Sequence, residues 1–225
     1  MLINHINFSN FKIKPKKKNL KKKLNLILKE NNHIIQSLKK NYKNSFKKET
    51  IKKHNNHNFR IIGMGGSSLG AQAIYDFLKR KIKKNFLFND NLNPNKDFDK
   101  KRNYTNIVIS KSGNTIETIA NSNILIRNKD KNIFITEKKN SYLHRFAEKL
   151  KAEVIHHNNY IGGRYSVLSE VGMLPAELMG LKSKQFKCFN NLVKNQNFIR
   201  TLISNVGSIL SLIQKKKFKF NNYQL

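Results

Sequence analysis

Short apolar runs that end in turns rich in hydroxyl or glycine residues are the feature that most constrains this fold. The clearest run is residues 107–109, Ile-Val-Ile, which leads into residues 110–118, Ser-Lys-Ser-Gly-Asn-Thr-Ile-Glu-Thr. This segment places hydroxyl side chains and backbone N–H groups at the end of a predicted buried strand, where a helix begins. An α/β protein holds phosphate groups at such positions. The pattern therefore predicts an α/β fold with an anion site at the carboxyl end of a strand.

The same strand-then-helix pattern repeats along the middle of the chain. Apolar runs predict strands at residues 59–62, 86–88, 106–109, 132–136 and 153–155, and helical spacing predicts helices at 69–81, 115–127 and 141–151. Strands that alternate with helices form a parallel sheet covered on both faces. We therefore expect a three-layer α/β sandwich with a mostly parallel central sheet, preceded and followed by helices.

Both ends of the chain have helical patterns. Residues 16–47 predict a helix with one apolar face, and residues 166–225 predict further helices with breaks at Pro175 and Gly180. The apolar stripe at residues 198–213 is expected to pack against another surface. We divide the chain into an amino-terminal helical segment, 1–55, a central domain, 56–182, and a helical connector, 183–225.

A second turn of interest follows the predicted strand at 59–62. Residues 63–67 read Gly-Met-Gly-Gly-Ser and open onto a predicted helix. Glycines here allow a ligand oxygen to approach the main chain closely. The spacing does not fit the dinucleotide fingerprint, and the Gly-Lys-Ser/Thr ending of a P-loop is absent from the sequence. A nucleotide ligand is therefore disfavoured.

A third segment, residues 162–172, reads Gly-Gly-Arg-Tyr-Ser-Val-Leu-Ser-Glu-Val-Gly. Together with Gly-Met-Gly-Gly-Ser-Ser-Leu-Gly and Ser-Lys-Ser-Gly-Asn-Thr-Ile-Glu-Thr, in that order, it resembles the glucose-6-phosphate isomerase family. The resemblance runs from about Phe59 to Gly180 and corresponds to the family's amino-terminal sugar-isomerase (SIS) domain. It implies a flavodoxin-like sheet and an aldose–ketose isomerisation through a cis-enediol.

The resemblance also assigns roles to individual residues. Phosphate binding falls to Ser110, Lys111, Ser112 and Thr115, sugar binding to Gly66 and Ser67, and catalysis to Arg164 and Glu117. The hydroxyls and the backbone donors of the 110–115 segment would hold the phosphate, and Arg164 would stabilise the enediolate because a guanidinium keeps its proton. Each residue also has a structural alternative: helix capping for the hydroxyls, a surface ion pair for Arg164, and a favourable helix-dipole position for Glu117.

The proton-transferring glutamate and the ring-opening histidine that the resemblance implies have no match in this sequence. After Glu177 the chain contains no acidic residue, and after His157 it contains no histidine. We therefore expect a truncated chain, or one that a second polypeptide completes, with no activity alone. The alternative is a sugar-phosphate-binding SIS module that senses or regulates without turnover.

Composition narrows the remaining possibilities. The formal charge of +32 comes from lysines scattered along the chain, which favours a compositional bias over a nucleic-acid partner. Cys188 is the only cysteine and the seven histidines lack ligand spacing, so we expect neither metal nor cofactor. No apolar stretch is long enough to span a membrane, and we expect a cytoplasmic protein. Its expected partners are a hexose 6-phosphate and either a second SIS domain or a homodimer partner.

Overall fold

The structure is a computed structural model that describes residues 19–92, 103–127 and 129–214. The start of the helix predicted from residue 16 lies outside the described residues. The described part of the chain forms two compact units, Asn41–Lys187 and the two ends, 19–40 with 188–214. The predicted domain boundaries after residues 55 and 182 stay a prediction.

The Asn41–Lys187 unit is built on a sheet of parallel strands. In chain order the strands are β1 (Asn58–Gly63), β2 (Asn85–Asn89), β3 (Thr105–Ile109), β4 (Lys131–Thr136) and β5 (Glu153–His156). Their order across the sheet is β2-β1-β3-β4-β5, and every pair of neighbours is parallel. Strand order reverses between β1 and β3, which is where ligands bind in open α/β sheets.

Helices cover both faces of this sheet. The helices of the described residues are α1 (Leu20–Lys29), α2 (His33–Ser37), α3 (Lys48–Lys53), α4 (Leu69–Leu78), α5 (Ile116–Leu125), α6 (Tyr142–Lys149), α7 (Glu170–Leu178), α8 (Phe189–Lys194) and α9 (Gln196–Gln214). Short 3-10 helices occur at Gly65–Ser67, Lys79–Lys81, Gly163–Leu168 and Ser183–Gln185. Of the α-helices, α4 and α7 cover one face of the sheet, and α5 and α6 cover the other.

Successive side chains along each strand point to opposite faces of the sheet, which explains why helices cover both faces. Ile61, Ile107 and Ile133 point into the core beneath α4 and α7, whereas their neighbours Ile62 and Val108 point into the core beneath α5 and α6. All five residues are essentially inaccessible to solvent. Strands buried on both faces read as continuous apolar runs, and the predicted three-layer α/β sandwich is confirmed.

Two predictions about helices were wrong. The helix expected over 16–47 is interrupted after Lys29, because Asn32 adopts an extended conformation and its side chain accepts the backbone N–H groups of Ile34 and Ile35, starting α2. The helix break predicted at Pro175 does not occur, since α7 continues through this residue to Leu178. Buried packing along α7 keeps the helix intact where the proline lacks a hydrogen-bond donor.

The second unit contains α1 and α9, whose apolar sides contact each other. Side chains from both helices line a groove of about 360 Å³; they are Leu20, Lys23, Leu24, Ile27, Leu202, Ile203, Val206 and Leu210. Part of the stripe predicted on α9 therefore packs against α1. In the part of the chain that the structure describes, no helix is both long and apolar enough to cross a membrane.

Candidate functional site

The turn after β3 forms the centre of the candidate site. Ser110 follows the strand, and its hydroxyl lies 2.9 Å from the hydroxyl of Thr115, which in turn lies 3.5 Å from the hydroxyl of Ser112. The backbone N–H of Gly113 donates to Ser110 Oγ at 3.2 Å, and that of Asn114 donates to Ser112 Oγ at 3.2 Å. The three predicted hydroxyls therefore converge within one tight turn, which we call the phosphate loop (residues 110–115).

Two backbone donors of the phosphate loop are unused. Among the residues that the structure describes, no acceptor pairs with the N–H groups of Lys111 and Ser112. Thr115 occupies the N-cap position of α5, but its side chain makes no capping hydrogen bond. The positive end of the α5 dipole adds to these donors. The two amides can therefore donate to an anion without breaking an existing bond, whereas the hydroxyls, which bond to one another, would exchange those bonds for bonds to the anion.

Gly113 shows why this turn requires a glycine. Its φ is +67°, a conformation that side chains disfavour, and a Cβ added to it would lie 2.1 Å from Ser141 Oγ. Ser141 caps α6 by accepting the backbone N–H of His144 at 3.3 Å. The phosphate loop therefore rests directly on the beginning of the next helix.

The turn after β1 lies beside the phosphate loop, because Gly63 pairs with Ile109 across the two strands. The 3-10 helix Gly65–Ser67 follows, and it contains both predicted sugar-binding residues, Gly66 and Ser67. A Cβ on Gly66 would lie 2.4 Å from the carbonyl carbon and oxygen of Gly163. Only glycine permits this close approach of two backbones.

Arg164 reaches the same edge of the sheet from the 3-10 helix Gly163–Leu168. With Gly66, Gly70 and Val167 it lines an open groove of about 760 Å³. The Arg164 side chain is exposed, and no other described residue bonds to its guanidinium. A surface ion pair, the structural alternative for this residue, is therefore absent within the described part of the chain.

Glu117 and the Lys111 side chain are the two predicted groups that do not join this arrangement directly. Glu117 lies partly exposed in the first turn of α5, with no hydrogen bond or ion pair to another described residue. Lys111 Nζ donates instead to the carbonyl oxygen of Asn159 at 2.6 Å and lies 3.7 Å from Glu137 Oε1. Its ammonium therefore ties the phosphate loop to the segment after β5.

Glu137 is a charged neighbour of the phosphate loop that the sequence did not single out. Burial acts to raise its pKa, but the hydrogen bond and charge of Lys139, with the charges of Lys111 and His157, outweigh burial and lower it. Lys139 Nζ lies 2.7 Å from Glu137 Oε2. Burial lowers the pKa of His157, and the hydrogen bond to the Asn158 carbonyl and the charges of Glu170 and Glu137 oppose this shift.

The arrangement offers amide and hydroxyl donors at one end and an exposed cation near the other. Three loops, after β1, β3 and β5, meet at the carboxyl edge where the strand order reverses. Within the described residues, no cluster of side chains could hold a metal ion. The chemistry these groups can supply is hydrogen bonding to an anion and stabilisation of a developing negative charge.

Comparisons of this sequence with known proteins point to one family. The phosphoglucose isomerase family model matches residues 3–222. Glucose-6-phosphate isomerase of Acholeplasma laidlawii is 39% identical over 142 residues, covering 54% of this chain and 33% of the relative. That of Methanocaldococcus jannaschii is 35% identical over 136 residues, covering 55% of this chain and 33% of the relative. The chain spans about a third of the length of these curated relatives.

A longer match and a solved structure extend the comparison. A probable glucose-6-phosphate isomerase of Methanococcus maripaludis is 32% identical over 196 residues, covering 71% of this chain and 43% of the relative. A hypothetical protein from Thermus thermophilus has a TM-score of 0.60 at 20% identity, covering 88% of this chain and 52% of that one. This structural likeness concerns the fold alone.

Proposed function

The chain belongs to the phosphoglucose isomerase family, and on that premise we propose that its carboxyl edge binds glucose 6-phosphate and fructose 6-phosphate. The phosphate loop would take the phosphate through the hydroxyls of Ser110, Ser112 and Thr115 and the unused amides of Lys111 and Ser112. Because these donors are already assembled, little ordering is needed when the anion arrives.

The observation that carries this proposal is the exposed guanidinium of Arg164, which bonds to no other described residue, beside the Gly66–Gly163 contact. An aldose–ketose isomerase moves a proton between neighbouring carbons, and negative charge develops on the sugar oxygens as the enediol forms. A fixed cation at that place stabilises the transition state more than the ground state. We assign this role to Arg164, and we assign sugar contact to Gly66 and Ser67.

We further propose that the catalytic base comes from outside this chain. Glu117 is the acidic residue on the first turn beyond the phosphate loop, and we assign it an orienting role through α5. The base would come from a second SIS domain or a homodimer partner. Isomerisation therefore belongs to the completed enzyme, in the cytoplasm, and this chain alone binds substrate without turning it over.

The test is a titration of the isolated chain with glucose 6-phosphate by calorimetry, alongside a coupled isomerase assay. We expect binding that glucose without phosphate does not reproduce, and no turnover. An Arg164→Ala variant should still bind inorganic phosphate but lose its preference for a phosphorylated aldonic acid, whose carboxylate mimics the enediolate. Turnover by this chain alone would contradict the external base, and failure to bind any sugar phosphate would contradict the proposed ligand.

The experiment also separates the alternative, a sensing module without turnover. A sensor gains nothing from tight binding of an enediolate mimic, because it responds to the substrate's ground state. Equal affinity of the wild-type chain for glucose 6-phosphate and the aldonic acid would favour the sensor. A clear preference for the aldonic acid would favour the enzyme.

A further inference from the structure

Glu170 is a buried carboxylate that the proposed mechanism does not use. It stands in the first turn of α7 and is only 1% exposed, among the apolar residues Val171, Met173 and Leu174. A carboxylate so placed has to be hydrogen-bonded, since burial without partners strongly disfavours the charged group. The helix N-terminus stabilises the negative charge of Glu170, but this does not explain what its two oxygens bind.

Both oxygens of Glu170 bind segments that lie outside α7. Oε1 accepts the backbone N–H of Asn158 at 2.8 Å, and Oε2 accepts the hydroxyl of Tyr42 at 3.2 Å. Asn158 is in the segment between β5 and the 3-10 helix that carries Arg164; we call residues 157–162 the β5 loop. Glu170 therefore fixes the β5 loop from the interior of the protein.

The opposite side of the β5 loop is fixed by the phosphate loop. The carbonyl oxygen of Asn159, one residue after the Glu170 contact, accepts Lys111 Nζ at 2.6 Å. Three residues beyond Asn159 the chain reaches Gly162, and Gly163 packs against Gly66. The backbone leading to Arg164 is therefore held at two adjacent residues, once by a buried carboxylate and once by the phosphate loop itself.

Further groups surround Glu170 and keep its environment polar. The ammonium of Lys187 lies 4.2 Å from the centre of the Tyr42 ring, and Lys187 is 2% exposed. Burial lowers the pKa of Lys187 to about 8, with the charge of Glu170 opposing, and burial together with that charge raises the pKa of Tyr42. The Tyr42 hydroxyl thus stays protonated and able to donate to the carboxylate.

We propose that Glu170 is a positioning residue: by accepting the Asn158 amide it holds the β5 loop, and through it Arg164, at a fixed distance from the phosphate loop. The inference rests on the proposed function, since it assumes that both loops contact one ligand. Arg164 has no partner of its own among the described residues, so its place depends on the backbone that Glu170 anchors.

The experiment compares two probes in the full chain: inorganic phosphate, which needs only the phosphate loop, and a phosphorylated aldonic acid, which spans both loops. Glu170→Ala should weaken binding of the aldonic acid about tenfold and leave phosphate affinity unchanged. Glu170→Gln keeps an acceptor for Asn158 and should restore most of the affinity. Tyr42→Phe removes one support of the carboxylate and should give a smaller loss in the same direction.

Glu177→Ala is the matched control on the same helix. Its carboxylate also accepts a backbone N–H, from Ser183 at 2.8 Å, but it holds a different segment. This variant should lose thermal stability without changing the ratio of the two affinities. Equal weakening of both probes by Glu170→Ala, or no change in either, would overturn the proposal, and so would a Glu170→Gln variant as weak as the alanine variant.

A ligand-free measurement separates this proposal from the proposed function. The amide resonances of Gly162, Gly163 and Arg164 should shift or broaden in Glu170→Ala and stay in place in Glu177→Ala. Unmoved resonances would refute the positioning role even if the wild-type chain binds both probes. A wild-type chain that binds neither probe would refute the proposed function, and the resonances would still decide the role of Glu170. If Glu170→Ala does not fold, Tyr42→Phe decides by the same criteria.

Discussion

The two edges of the same sheet both carry polar side chains, but they use them differently. Near the amino ends of the strands, Arg60, Asn106 and Asn132 lie side by side on β1, β3 and β4. Arg60 Nη1 donates to the carbonyl oxygen of Leu125 at 3.1 Å, and its guanidinium lies 4.3 Å from the centre of the Tyr104 ring. Arg60 therefore binds the backbone and an aromatic ring, and the Asn106 amide donates to its neighbours, although Asn106 Oδ1 has no partner among the described residues.

At the carboxyl edge, several donor groups have no hydrogen-bond partner among the described residues. The amides of Lys111 and Ser112 and the guanidinium of Arg164 bond to no other described residue, and glycines at 66 and 113 let the loops that carry them pack closely against Gly163 and Ser141. Asn106 at the amino edge, by contrast, donates to Asn132 at 2.8 Å and to Asp130 at 3.2 Å. Buried polarity alone therefore does not distinguish the two edges, whereas unused donors do.

The strongest test of this comparison is Gly66→Ala. Its added Cβ would lie 2.4 Å from the Gly163 backbone, so the two loops must separate, and we expect a loss of more than about 3 kcal/mol in unfolding free energy or an equivalent loss of sugar-phosphate binding. Gly65→Ala is the control. Nothing lies within 4 Å of its added Cβ, but its φ is +55°; the cost should be about 1–2 kcal/mol. Equal effects would refute the importance of the close contact.

At the amino edge, Arg60→Ala should act on stability alone. Arg60 is 4% exposed, and its removal deletes the contacts to Leu125 and Tyr104. We expect a loss of about 2–3 kcal/mol in unfolding free energy, measured by urea denaturation. Phosphate affinity, measured at a temperature where the variant is folded, should not change. A change in phosphate affinity would contradict the proposal that only the carboxyl edge binds phosphate.

Near the carboxyl edge, Lys187 should make the unfolding free energy depend on pH. Burial lowers its pKa from 10.5 to about 8 in the folded chain. Between pH 8 and about 10 the unfolded chain binds this proton and the folded chain does not, so unfolding free energy rises with pH, by roughly 1–2 kcal/mol. Above that range the raised pKa of Tyr42 acts in the opposite direction. Lys187→Met should flatten the rise, and an unchanged profile would contradict the assignment.

The smallest expected effect comes from Thr115→Val. The Thr115 hydroxyl does not cap α5 but bonds to Ser110 Oγ, so its loss should lower unfolding free energy by about 1 kcal/mol. Phosphate affinity should fall about fivefold, close to 1 kcal/mol, because one hydrogen bond to the anion is lost. Calorimetry and thermal denaturation of the same preparation measure both quantities. A large loss of stability with normal affinity would show that the hydroxyl serves the fold.

The sequence predicted the sheet and the loops of the site because their signals are local. A buried parallel strand reads as an apolar run, and the turn after it reads as glycines and hydroxyls, so the five predicted strands lie within a few residues of their observed bounds. The extended Asn32 that starts α2 is also a local signal, since asparagine is a favoured N-cap, but the apolar spacing that runs across it predicts one continuous helix.

The contacts that hold the site were not predictable in this way. Lys111 meets Asn159 across 48 positions, and Tyr42 meets Glu170 across 128. The first uses a backbone carbonyl, which any residue could supply, and the second depends on how the segment before α3 packs against α7. A single acidic residue in an apolar helix start, Glu170 in Ser-Glu-Val-Gly, was the one available signal.

The most direct test of the account is an amide-resolved NMR titration of this chain with glucose 6-phosphate. We predict shifts at Lys111, Ser112 and Gly113, with smaller shifts at Gly66 and Ser67, and none at Arg60 or Asn106. Shifts spread over the lysine-rich surface, or centred on the amino edge of the sheet, would contradict the proposal that the unused donors of the carboxyl edge form the phosphate site.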